Sequence, residues 1–135
     1  MNKIICSLFF LTIISCSPEN CSNLYFDKKN KLTYLNDELY TGLCESYYFT
    51  GEIKSIQKYN NGKDHGSWLF FYKNKNIQVS GSFSNGNRIS EWKYFFENGL
   101  IWKENFYDSL GKKIGIWKEY DEEGGIINKI IISKN

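Results

Sequence analysis

Few side chains in this sequence could do covalent or acid–base chemistry, and their spacing decides what they could do. The single histidine, His65, follows Asp64, and a histidine beside a carboxylate could serve as a general base. No nucleophile accompanies it, and Asp64-His65 falls at a recurring turn position filled elsewhere by Arg88-Ile89 and Lys113-Ile114. It reads as a turn residue. Cys21 and Cys44 lie far apart with one histidine between them, which is not a zinc spacing, so no metal and no cofactor are expected. Glu104, Glu119 and Glu122 show no catalytic pairing and read as solvated faces. The glycines recur with a long period, which marks turns and not phosphate-cradling loops. The expectation is a protein without catalytic residues, not an enzyme.

One thiol is placed for modification. The chain opens with Lys3, an apolar run from Ile4 to Ile14, and Ser15-Cys16. A short basic start, about a dozen apolar residues and a small residue before the cut describe a secretory leader, too short to span a membrane. Ile13-Ile14-Ser15-Cys16 resembles the bacterial lipobox. The resemblance implies diacylglycerol on the Cys16 sulfur, cleavage before it and acylation of the new amino terminus. Two or three acyl chains suffice for stable anchoring. The expected organisation is a leader over 1–15, a lipidated cysteine and polar tether over 16–33, and a domain over 34–135. The expected location is the cell envelope, at the outer membrane or cell surface, with the membrane engaged through lipid on Cys16.

Loss of the leader removes Lys3 and no acid, so the formal charge falls from +2 to +1. Without a basic stripe, nucleic acid is not an expected partner. Cys6 leaves with the leader, so Cys21 and Cys44 remain as an even pair that can oxidise outside the cytoplasm. Their disulfide would tie the tether to the domain. The other reading of Cys44 is a small buried apolar residue.

What positions these residues is an internal repeat. One column reads Cys44, Trp68, Trp92, Trp117, with spacings of 24, 24 and 25 residues. Two residues earlier stand Gly42, Gly66, Ser90 and Gly115, and three later Tyr47, Phe71, Phe95 and Tyr120. Then come Gly51, Lys75, Gly99 and Gly124, followed by Ile53, Ile77, Ile101 and Ile126. Tyr59, Phe83, Tyr107 and Ile132 precede a second turn, Asn61-Gly62, Asn85-Gly86 or Ser109-Leu110-Gly111. One inserted residue in that third turn accounts for the longer spacing.

Each unit thus carries two strand-like runs bounded by glycine turns at Gly42, Gly51, Gly62, Gly66, Gly86, Gly99, Gly111, Gly115 and Gly124, the signal for hairpins. The expected fold is all-β, about four 24-residue hairpins in one extended twisted meander roughly 40 Å long at the usual strand spacing. Leu32–Leu35 and Asn36–Tyr40 read as an incomplete leading hairpin. The expected repeat core is Trp68, Trp92, Trp117, Tyr47, Phe71, Phe95, Tyr120, Ile53, Ile77, Ile101 and Ile126. Ile53, Gln57 and Tyr59 share parity, which implies one core face. Trp68 and Phe71 do not, so either a bulge separates them or aromatics coat both sides.

The frame G-x-W-x-x-[FY]-x-x-x-G-x-[IL] with a following Asn-Gly turn resembles the variant MORN repeat, over about residues 34–132. More closely it resembles bacterial YwqK-like proteins that carry a toxin–antitoxin label. The resemblance implies a non-catalytic repeat module, expected as a monomer, whose partner is an envelope protein, a glycan or, in the antitoxin reading, a cognate toxin.

Overall fold

The computed structural model describes residues 17–133, so the leader and Cys16 lie outside the described residues. The N-terminal part holds β1 (Glu19–Asn20), a 3-10 turn (Cys21–Asn23), β2 (Tyr25–Asp27), β3 (Leu32–Leu35) and β4 (Glu38–Leu39). The repeats begin with β5 (Gly42–Tyr47) and β6 (Ile53–Asn60), followed by β7 (Lys63–Asp64), β8 (Gly66–Phe71) and β9 (Ile77–Ser84). They end with β10 (Asn87–Phe95), β11 (Ile101–Tyr107), β12 (Lys113–Tyr120) and β13 (Ile126–Ile132). From β5 to β13 the strands form one meander of four hairpins, in the order expected from the repeat.

Two turn chemistries alternate. Within each unit the N–H of Tyr48, Tyr72, Phe96 or Asp121 donates to the carbonyl four residues on. The glycine column sits at positive φ in these turns, and Lys75 takes the same conformation at φ 70°. Between units Asn61-Gly62 and Asn85-Gly86 have positive φ at both residues, the two-residue turn whose twist suits a hairpin. The inserted residue changes the third connection to the longer type, with Asp108 N–H donating to Lys112 O.

The small-residue column answers first to backbone conformation. Gly66, Ser90 and Gly115 have φ of 65°, 59° and 69°. In β10 the register slips between Ile89 and Lys93, so this column is a bulge that swings the tryptophan over the neighbouring strand. Ser90 holds a conformation that penalises a Cβ.

A second bulge settles the question of faces. Ser46 pairs with Ser55 but Tyr47 with Ile53, and Phe70 pairs with Val79 but Phe71 with Ile77. The same slip recurs before Phe95–Ile101 and Tyr120–Ile126. The extra residue lies in the second strand of each hairpin, at Lys54, Gln78, Trp102 and Ile127. Ile53 therefore leaves the face that holds Ser55, Gln57 and Tyr59, and the inference of a single core face is corrected. Tyr47, Ile53, Ile77 and Ile126, expected in the core, are exposed. Phe71, Phe95, Ile101, Tyr120, Trp68 and Trp117 are half-buried, and of the expected core only Trp92 is fully buried.

The stretch read as a polar tether carries regular structure. β1 runs parallel to β5 and closes that edge of the sheet, and a Cys21–Cys44 disulfide locks it there. Closing a loop of this length contributes about 3 kcal/mol. β2, β3 and β4 form a second, three-stranded sheet. It joins the first through Thr33 N–H to Gly62 O and Gly62 N–H to Tyr40 O. Cys44, Tyr40 and Tyr59 form the main core cluster, with Leu24, Leu35 and Trp68 packed around it.

The tightest contact is at Gly81, where an added Cβ would stand 2.2 Å from the Trp92 ring. Gly81→Ala is expected to cost about 3 kcal/mol by overpacking. Ser90→Gly is expected to raise stability by up to about 1 kcal/mol through relief of strain. Denaturant melting of both variants checks the pair of signs.

Candidate binding face and cleft

The inner face is a ladder of rings. Tyr40, Tyr59, Trp68, Phe83 and Trp92 follow one another with centroid separations of 5.7, 5.4, 4.8 and 4.9 Å. Such edge contacts add about 1 kcal/mol each beyond area burial. Each repeat tryptophan also donates its indole N–H backwards, Trp68 to Lys58 O, Trp92 to Ser82 O and Trp117 to Phe106 O. A cation covers two of them: Arg88 lies 4.3 Å from the Trp92 centroid and Lys113 4.7 Å from that of Trp117.

The outer face carries the second set of aromatics. Tyr47–Ile53, Phe71–Ile77, Phe95–Ile101 and Tyr120–Ile126 are cross-strand pairs at the same height in successive hairpins. They form an apolar stripe across the sheet, with Tyr47 47% and Ile126 57% exposed. Phe49, at the tip of the first turn, is wholly exposed. A groove between the first two hairpin ends is lined by Ile53, Phe71, Glu52 and Lys75. The stripe is held rigid by the turns: Tyr48 Oη–H donates to Phe71 O, Tyr72 Oη–H to Phe95 O, and the Asn74 and Asn76 amides both donate to Glu97 O.

Between the N-terminal sheet and the inner face lies a cleft of about 320 Å³, lined by Leu24, Phe26, Gln57, Tyr59, Asp64 and Trp68. Asp64 is paired in register with Tyr59. Burial pushes its carboxyl above the usual range. Tyr59 is pushed well up by burial and, less, by the Asp64 charge.

Among the described residues, the single histidine and the three candidate glutamates are not drawn into one set. His65 donates its backbone N–H to Lys58 O, and its Nδ1 is buried without a hydrogen-bond partner among the described residues. Glu119 pairs with Lys103 at 2.8 Å, and Glu104 accepts from Tyr120 Oη and lies 3.7 Å from Lys118. Glu122 is on the last turn. Among the described residues no three His, Cys, Asp or Glu side chains are grouped to hold a metal, and no helix is long and apolar enough to cross a membrane. The expected turn glycines all have positive φ, though Gly42, Gly66 and Gly115 lie inside strands. Gly81 and the Asp64, Arg88, Lys113 column were not singled out as functional from the sequence. The latter had a signal, since each residue stands four before a repeat tryptophan.

Comparison with known proteins agrees with the first two hairpins. Residues 40–61 and 64–85 each match the family model of the MORN repeat variant. No curated protein matches the chain, and no solved structure does.

Asp64 gives a pH-dependent prediction. Its folded pKa lies above its unfolded value, so its ionised form costs stability at neutral pH, and that cost vanishes below the unfolded carboxylate range. Asp64→Asn is expected to melt higher than the parent at neutral pH and to lose the advantage near about pH 3. Paired thermal melts at the two pH values check it.

Proposed function

We propose that this protein is a non-catalytic binding module, held at the bacterial envelope by lipid on Cys16, that presents its outer face to another envelope protein or to cell-wall glycan. The observation that carries the reading is the stripe of aromatic–isoleucine pairs. Four repeats place the same apolar pair at the same height, on a face left exposed, with the hairpin ends tied rung to rung. Repeat arrays use such continuous surfaces for binding, and exposed apolar stripes of this kind mark interaction sites. The matches to the MORN repeat variant support an interaction module. The leader and lipobox-like sequence support the location, and the disulfide suits an oxidising compartment.

Crosslinking on intact cells tests the reading. The parent is expected to capture one or a few envelope proteins, or glycan. Ile53→Lys with Ile77→Lys, two changes at exposed positions, is expected to lower capture at least tenfold without lowering the melting temperature appreciably. Unchanged capture by that variant contradicts the outer-face site. A single small toxin encoded beside the gene as the captured partner replaces the reading with immunity. Cys16→Ser is expected to release the chain from the membrane fraction or to leave it as precursor, and equal membrane retention with normal processing contradicts the anchor.

A further inference from the structure

The repeat tryptophans share one backbone arrangement but differ at one side chain. In the third unit Phe83 pairs with Arg88, and the guanidinium covers Trp92. In the fourth Tyr107 pairs with Lys113, and the ammonium covers Trp117. The second unit keeps the pairing, Tyr59 with Asp64, and keeps the indole bond, Trp68 to Lys58 O. At the cation's position it has a carboxylate. None of the salt bridges among the described residues reaches Asp64. Where its sister units have a covering cation, Trp68 borders the cleft of about 320 Å³.

We propose that this cleft binds an organic ammonium ion, whose charge takes over Trp68 the place that Arg88 and Lys113 take over Trp92 and Trp117, with Asp64 as its counter-ion. Ring faces attract cations, most strongly where water is excluded. Trp68, Tyr59 and Phe26 offer three rings to one volume, and Leu24 adds an apolar wall suited to an alkylated ammonium. A neutral guest would leave Asp64 without a counter-charge, and an anion would be repelled by it. A bare metal ion would find a single carboxylate, for no group of three metal ligands exists among the described residues.

The chemistry of the guest can be narrowed further. A second cavity of about 470 Å³ shares Phe26 and Asp64 with the first and is lined by Lys28, Lys31 and Lys63. A ligand whose ammonium sits at Trp68 would carry an attached anionic group into these lysines. The ligand class is therefore a zwitterion with an alkylated ammonium inside and an anion at the mouth. The roof of the site, Leu24 and Phe26, belongs to the N-terminal segment that the Cys21–Cys44 bond fixes in place. This site lies on the inner face and is independent of the outer stripe, so either can fail without the other.

The test is a titration of the purified, oxidised protein, read at the tryptophan indole N–H resonances. Choline serves as the cation alone, phosphocholine as the zwitterion, and the carbon isostere of choline as the neutral control. Choline is expected to shift the Trp68 signal saturably while those of Trp92 and Trp117 stay in place. Phosphocholine is expected to bind about tenfold tighter, and the neutral isostere about tenfold weaker or worse. Asp64→Asn should weaken choline at least tenfold, and Asp64→Arg, which restores the cation of the sister units, should abolish binding and raise the melting temperature. No saturable shift at Trp68, equal binding of the neutral isostere, or binding retained by a folded Asp64→Arg overturns the proposal, and phosphocholine no tighter than choline overturns its zwitterionic part. Vesicles of phosphatidylcholine distinguish the sources: sedimentation that depends on Asp64 assigns the ligand to a lipid headgroup, and its absence with phosphocholine bound assigns it to a soluble zwitterion.

Discussion

The indole N–H that each repeat tryptophan gives to a carbonyl of the preceding unit is the constraint on which the rest of the array depends. A single-layer sheet buries little, and among the described residues here only Tyr40, Cys44, Tyr59 and Trp92 are buried apolar residues. Hairpins in such a sheet are held by neighbour contacts alone, so each needs a device that reaches back one unit. The tryptophan does this at a sequence separation of 10 or 11 residues. It requires the bulge that swings it over, hence the left-handed backbone of the small column. At Trp92 the ring also lies on a flat bed, which Gly81 provides. At Trp92 and Trp117 the cation four residues earlier then covers the ring.

The first unit has no preceding hairpin in its own sheet to receive an indole, and Cys44 stands in the tryptophan column instead. Its bond to Cys21 ties the unit to β1, and the covalent link does for the first hairpin what the indole bond does for the others. That edge of the sheet is closed. The far edge, β13, ends the array with Ile126, Ile127, Ile130 and Ile131 exposed, and Lys129 among them places a charge that disfavours pairing with further strands. The two ends are thus built on different principles.

The hairpins, their turns and the tryptophan column were legible in the sequence because each rests on a local rule, glycine or Asn-Gly at positive φ and aromatics at a fixed period. The faces were not. One unpaired residue per hairpin, such as Lys54 or Gln78, reverses which side Ile53 and Ile77 occupy, and nothing in the side-chain pattern marks a bulge within an otherwise regular run. The leading hairpin over Leu32–Leu35 and Asn36–Tyr40 was legible as β3 and β4, but its place in a separate sheet with β2, and the pairing of β1 with β5, were not. Strands β1, β2 and β4 are only two or three residues long, and they are ordered by a disulfide and by contacts with Gly62 that no local propensity encodes. The departure at Asp64 was visible as a residue type, but its meaning came from seeing Arg88 and Lys113 lie on rings.

Hydrogen exchange at the four indole N–H groups tests the tryptophan device most directly. Trp68, Trp92 and Trp117 donate to backbone of the preceding unit, whereas the ring of Trp102 meets Tyr94 and Phe96 and its Nε1–H has no acceptor among the described residues. The expected result is slow exchange at the three repeat tryptophans, slowest at buried Trp92, with Trp102 exchanging near the free rate. Trp92 exchanging as fast as Trp102 would contradict the account.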